Sequence, residues 1–102
     1  MNTDSADCTR LPYPFPNDRE LKVGEFCWSK EINGVRYLHI VLPGSIRPDS
    51  IRCSTASPTI IQDNFGPVWG WDGNEDKPTL SPSLHWPGQW HGHLVAGRLV
   101  SC

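Results

Sequence analysis

Ten prolines and nine glycines interrupt this chain so often that no stretch of twelve residues keeps a 3.6-residue apolar period without a breaker. Proline lacks the amide hydrogen a helix needs and clashes with the preceding turn, and glycine in a helix interior is destabilising. Long helices are therefore excluded. What remains are short apolar runs bounded by turn residues, which read as strands.

The clearest local signal is Asn33-Gly34, set between "EFCWSKEI" and "VRYLHIV". Both residues tolerate positive φ, which a type I′ hairpin turn requires. Counting outward pairs Ile32 with Val35, Trp28 with His39 and Phe26 with Val41. Strands near 24–32 and 35–42 follow, with His39 a packed or rim histidine opposite Trp28. Residues 43–59, "PGSIRPDSIRCSTASPT", are rich in Ser, Pro and Asp and read as an irregular loop with one short strand at 51–54. Beyond them "TIIQ", "PVWGW", "TLSPSLHW", "QWHGHLV" and "RLVSC" read as strands, with turns at Pro87-Gly88 and Ala96-Gly97. About seven strands joined by short links predict an all-β fold, a small single-domain antiparallel sandwich or barrel. Residues 1–19 carry "LPYPFPNDR" and read as an extended, proline-rich arm that is loose, drapes Tyr13 and Phe15 over the core, or docks on a neighbouring subunit in an oligomer. Residues 20–102 form the β domain.

No apolar run approaches the roughly 20 residues that span a bilayer, so no membrane partner is expected. The N-terminus lacks the basic-then-apolar order of a signal peptide, and a cytoplasmic protein of a bacterial host is expected. Net charge is −2 and the nine Lys and Arg are scattered, which disfavours nucleic acid. Cys8, Cys27, Cys53 and Cys102 show no CxxC spacing and read as free thiols. No metal and no other cofactor is expected. A small zinc-binding protein, using Cys27, Cys53 or Cys102 with a histidine, is an alternative that the spacing does not signal.

The segment that can carry chemistry is "PTLSPSLHWPGQWHGHL", residues 78–94. If its loop is Trp86–Gly88, His85 opposes Gln89, Ser83 opposes His91 and Ser81 opposes His93. All six then share one face, because strand side chains alternate. Opposed Cβ atoms lie about 4.5–5.5 Å apart, within reach of a hydroxyl–imidazole hydrogen bond. A serine is a poor nucleophile until a neutral imidazole removes its proton, and the same imidazole can return that proton to the leaving group. Ser83 and His91 are thus the candidate nucleophile and base of a serine hydrolase, a peptidase or esterase acting on a peptide-like acyl substrate, with backbone N–H groups as oxyanion donors. Ser81 and His93 are the second choice, and Asp72 or Asp76 a candidate to orient the ring. Trp69, Trp71 and Trp90 are candidates to line a substrate, and Gly92 would let a peptide backbone come near. The plainer alternative is a hairpin with surface polar groups and core tryptophans, that is, a non-catalytic binding or virion-associated module.

Residues 67–102 resemble a family of small phage and bacterial proteins. The pattern is a Trp-x-Trp segment (Trp69, Trp71), a Pro-Thr-x-x-Pro-Ser segment (Pro78-Thr79, Pro82-Ser83) and a histidine followed by a glycine-containing hairpin (His91, Gly97). Phage members often carry an "ammonia monooxygenase" label. The bacterial relatives, called BubE, accompany ubiquitin-like conjugation operons and are described as Ser-His dyad serine peptidases. Carried over by position, that resemblance implies a dyad at Ser83 and His91 and a protein or peptide substrate, with a ubiquitin-like partner among the expectations. Relatives often continue past the last strand with acidic or histidine residues, so a third catalytic group from such a segment is not expected here.

Overall fold

The computed structural model of the chain describes residues 5–57 and 59–102. Their regular structure is all β, in twelve short strands: β1 Ala6–Asp7, β2 Thr9–Arg10, β3 Glu25–Trp28, β4 Val35–Ile40, β5 Asp49–Ser54, β6 Ile61–Asp63, β7 Gly66–Val68, β8 Gly70–Trp71, β9 Leu80–Ser81, β10 Leu84–Trp86, β11 Trp90–Val95 and β12 Arg98–Ser101. Two four-stranded sheets, ordered β1-β12-β11-β10 and β2-β3-β4-β5, are joined by the ribbons β6-β7 and β8-β9. Strand pairing is antiparallel except for β2 with β3. The sheets do not close into a barrel. Strands outnumber the expected seven because the N-terminal segment supplies β1 and β2, the expected 43–59 loop supplies β5, and two of the expected runs are cut: Trp69 separates β7 from β8, and Pro82-Ser83 separates β9 from β10. Proline has no N–H for a ladder, so a strand stops there.

One core lies under both sheets. Phe26, Trp28, Leu38, Ile40, Leu42, Ile51 and Cys53 come from the β2–β5 side, and Leu84, Trp90, Leu94 and Leu99 from the other, with Trp71 and Leu80 completing it. The alternation along β11 is complete: Trp90, Gly92 and Leu94 are buried while His91, His93 and Val95 are exposed. Trp28 and Trp71 stack at 4.5 Å in the core, and Arg36 lies over Trp28 at 5.2 Å. Aromatic pairs of this kind add about 1 kcal/mol beyond their buried area.

The N-terminal segment is tied into the fold by its two short strands. β1 pairs with β12 and β2 with β3, so one short run edges both sheets. Cys8, between them, donates its N–H to Gly97 O and packs against the core, where burial pushes its thiol up to about 12. Arg10 then reaches Glu75 and Asp76. Residues 1–4 of the expected arm, and Pro58 of the expected 43–59 loop, lie outside the described residues.

The first hairpin corrects the count made from its turn. Asn33 and Gly34 have φ of 52° and 79°, and Ile32 pairs with Val35 as counted. Further out, however, Trp28 pairs with Leu38, Cys27 with His39 and Phe26 with Ile40. One extra residue in the 29–31 stretch forms a bulge, which advances every outer pair by one place. The bulge sends Leu38 and Ile40 inward with Phe26 and Trp28, and leaves His39 and Tyr37 on the outer face. The expected loop at 43–59 is also corrected. Asp49–Ser54 is a full six-residue partner of β4, with Ile51 and Cys53 inward. The polar count of that segment hid a period-two pattern of only two apolar residues.

Candidate active site on the β10–β11 hairpin

The second hairpin is closed by Trp86-Pro87-Gly88-Gln89, with Gln89 N–H donating to Trp86 O at 2.9 Å. Proline presets the first central position and Gly88, at φ 78°, supplies the left-handed second one, the pattern of a type II turn. The loop is therefore Pro87–Gln89, and the register is Trp86 with Trp90, His85 with His91 and Leu84 with Gly92. The expected pairs Ser83–His91, Ser81–His93 and His85–Gln89 do not form as opposed pairs. The turn sits one residue later than expected, which shifts partners by two places. An even shift keeps every side chain on its face.

Ser83 and His91 thus remain on one face and meet diagonally. Ser83 Oγ lies 3.2 Å from His91 Nε2, with His91 exposed and Ser83 half-buried. Behind the serine, Trp69 Nε1 donates to Ser83 O at 3.3 Å, and the Trp69 indole stacks on Trp86 at 6.5 Å. Trp69 is itself fixed to β5: its N–H donates to Arg52 O and its carbonyl accepts from Ser54 N–H. On the other side, His85 faces the His91 ring at 4.7 Å between centroids. The His91 carbonyl accepts from Cys102 N–H, so its backbone polar groups point toward β12. His85 and His91 are then a non-hydrogen-bonded pair, the kind whose side chains approach most closely.

The other expected site residues are placed elsewhere. Ser81 pairs with Gly70 in the β8-β9 ribbon, and His93 pairs with Val100. Asp72 Oδ1 accepts from the N–H groups of Asn74 and Thr79 and shapes the 72–79 loop. Trp71 and Trp90 are core side chains, 8% and 6% exposed, with their indole N–H groups on Asn74 O and Ser101 Oγ. Of the three tryptophans expected to line substrate, Trp69 is the one beside Ser83. Gly92 also has a different use: a Cβ there would stand 2.2 Å from the Trp90 ring and 2.4 Å from Val100 O. Its missing side chain seats the indole in the core. His85 and Trp86 were not singled out from sequence as site residues. The Pro-Gly pair, read as the two central residues of a type II turn, is the signal that would have placed them.

A second serine–histidine pair lies on the outer face of the other sheet. His39 opposes Ser50, with Nδ1 2.9 Å from Ser50 Oγ, between the rings of Tyr13 and Tyr37. His39 Nε2 is buried and has no hydrogen-bond partner among the described residues. A buried N–H without an acceptor is rarer and costlier than a bare lone pair. The favoured tautomer therefore carries its hydrogen on Nδ1 and donates it to Ser50. Burial also holds the ring's pKa below its ordinary value, which keeps it neutral.

Among the described residues no group of three or more His, Cys, Asp or Glu is arranged to hold a metal ion. Cys27 and Cys53 are buried free thiols in the sheets, and burial raises both. No helix among the described residues is long and apolar enough to cross a membrane.

Neither the curated proteins nor the solved structures include a match to this chain. A family model does match, over residues 48–102, from the start of β5 through the whole Ser83–His91 hairpin. That is more than half of the sequence, and it takes in the Trp69 support as well as the pair itself. The chain belongs to the BubE family, described as the bacterial ubiquitination-like system serine protease.

Proposed function

We propose that this protein is a serine peptidase in which Ser83 is the nucleophile and His91 its base, acting on a protein or peptide acyl group within a ubiquitination-like system. The observation that carries this reading is the 3.2 Å contact between Ser83 Oγ and His91 Nε2 on an exposed hairpin face. The family description supports the reaction class and the kind of substrate.

In the tautomer with its hydrogen on Nδ1, His91 presents an Nε2 lone pair to the serine. The Ser83 O–H proton moves to Nε2 as Oγ bonds to the acyl carbon. The imidazolium then gives that proton to the departing amine as the C–N bond breaks. In the second half, water adds to the acyl-serine, His91 takes a proton from the water, and that proton returns to Oγ as the C–O bond breaks. Trp69 fixes the Ser83 carbonyl, so the serine's backbone does not have to be ordered at the moment of attack.

The test is labelling by a fluorophosphonate, with the modified residue located by peptide mapping. Wild type is expected to label at Ser83, the Ser83→Ala variant not at all, and Ser81→Ala at the wild-type rate. Labelling that persists unchanged in a folded Ser83→Ala variant overturns the assignment.

A binding role separate from chemistry has its own support. Phe65 and Ile32, 87% and 64% exposed, flank a hollow of about 260 Å³ with Val35 and Tyr37. Exposed aromatic side chains of this kind anchor partners. Loss of a captured partner in Phe65→Ser, with labelling of Ser83 intact, would assign recognition to that face.

A further inference from the structure

The cross-strand pair His85–His91 was not expected from the sequence, and it has a property that the proposed reaction does not use. Two exposed imidazoles stand directly opposite each other in a non-hydrogen-bonded position, with ring centroids 4.7 Å apart and planes inclined by 39°. Imidazole nitrogens bind Zn²⁺ at about 2.0–2.1 Å, and two rings sharing one tetrahedral or square-planar ion have centroids roughly 5 Å apart. The observed spacing already matches that arrangement. Both rings hang from a paired strand segment closed by a rigid Pro-Gly turn, so little order has to be imposed when an ion binds.

We propose that His85 and His91 together form a bidentate site for a late first-row divalent metal ion, with water in its remaining positions. We further propose that occupancy switches off the serine. This second half rests on the peptidase reading above; the binding itself does not. The reason lies in the imidazole. A neutral ring has one in-plane lone pair, its other nitrogen carrying a hydrogen. When His91 gives that pair to a metal ion, it has none left to accept the Ser83 proton, whichever nitrogen the metal takes. The site is thus an inhibitory one, of the type selected by nitrogen ligands: Cu²⁺ is expected to bind more tightly than Zn²⁺.

The experiment uses the full chain, stripped of metal, with Zn²⁺ or Cu²⁺ alone as the probe in equilibrium dialysis. One equivalent of metal is expected to bind to wild type. His85→Phe, which keeps a ring against His91, is expected to weaken binding by about tenfold or more. Cys102→Ser tests the neighbouring exposed thiol and is expected to bind as wild type does. In parallel, saturating Zn²⁺ is expected to slow fluorophosphonate labelling of wild type by about tenfold or more. At the Zn²⁺ concentration that just saturates wild type, labelling of His85→Phe, whatever its metal-free rate, is expected to slow by about twofold or less. Absence of stoichiometric binding, binding that survives His85→Phe, or binding lost in Cys102→Ser overturns the site. Labelling of wild type that is unaffected by bound Zn²⁺ overturns the switch. If the metal-free chain never labels but binding depends on His85, the peptidase reading falls and the metal site stands.

Discussion

His39–Ser50 and His91–Ser83 are the same two side chains on the outer faces of the two four-stranded sheets, at 2.9 Å and 3.2 Å. By distance alone the first is the better hydrogen bond. The difference lies in the second ring nitrogen. In His39 that nitrogen is buried without a partner among the described residues, which drives the hydrogen onto the serine-facing side and makes the imidazole a donor. The exposed His91 ring has solvent for its other nitrogen, which leaves its serine-facing lone pair available. Distance alone thus does not separate a catalytic serine–histidine pair from a structural one; the surroundings of the far ring nitrogen do. The nearer pair in this protein is a structural one.

Exchanging the two serines breaks the comparison most severely. Ser83→Ala is expected to lower acyl transfer by about 10³-fold or more, whereas Ser50→Ala leaves the rate within about twofold, measured by probe labelling rates. Equal losses from the two variants would remove the distinction.

The next effect is on stability and concerns the sheet that carries Ser83. Gly92→Ala places a methyl group against the Trp90 ring and Val100 O, and is expected to cost about 3 kcal/mol in urea unfolding. A neutral outcome would mean that Trp90 has room to move and that the β11 face is not fixed by its packing.

The other sheet responds to acid. Hydrogen bonds from the Arg19 guanidinium and from the Lys22 amide hold the Glu25 carboxyl down at about 2, against an ordinary 4.5. Its lowered pKa contributes stability that is fully present above pH 4.5 and is lost as pH falls toward 2. Glu25→Gln is expected to cost about 1–2 kcal/mol at neutral pH, the half-exposed Arg19 keeping the figure low, and the gap from wild type closes on acidification. A gap that stays constant with pH would show that the carboxylate's charge is not what stabilises β3.

The smallest effect sharpens the assignment of His39. Its depressed pKa means that the unfolded chain takes up a proton at this position before the folded chain does, so wild-type stability declines as pH falls below 6.5. His39→Gln is expected to flatten that decline in thermal unfolding curves and to leave labelling of Ser83 unchanged. A steeper decline in the variant would contradict the neutral, half-buried ring.

Most of the architecture was legible in the residues, because glycine and proline punctuation forbids helices and marks the hairpins. The registers were less so, and the two errors differ in kind. At Asn33-Gly34 the turn was placed correctly, but a bulge in residues 29–31 shifted the outer pairs by one place and changed the neighbour of His39. No turn residue encodes that bulge; packing of Leu38 and Ile40 into the core selects it. At Pro87-Gly88 the turn was misplaced, yet the shift was of two places, and parity kept Ser83, His85, His91 and His93 together. The face was therefore predictable where the partner was not. What the sequence could not supply was burial: it offered Trp71 and Trp90 as substrate platforms when both fill the core. It also gave no sign of the empty space required around Gly92, or of the His85 ring against His91.

The most direct measurement is intact-mass analysis of the wild-type chain quenched during turnover of an activated ester, followed by peptide mapping. An acyl group on Ser83, formed in a burst of about one equivalent and absent from His91→Ala at the same time point, is the expected result. Acylation of Ser50 or Ser81 instead, or an acyl-Ser83 that forms equally fast without the His91 imidazole, would contradict it.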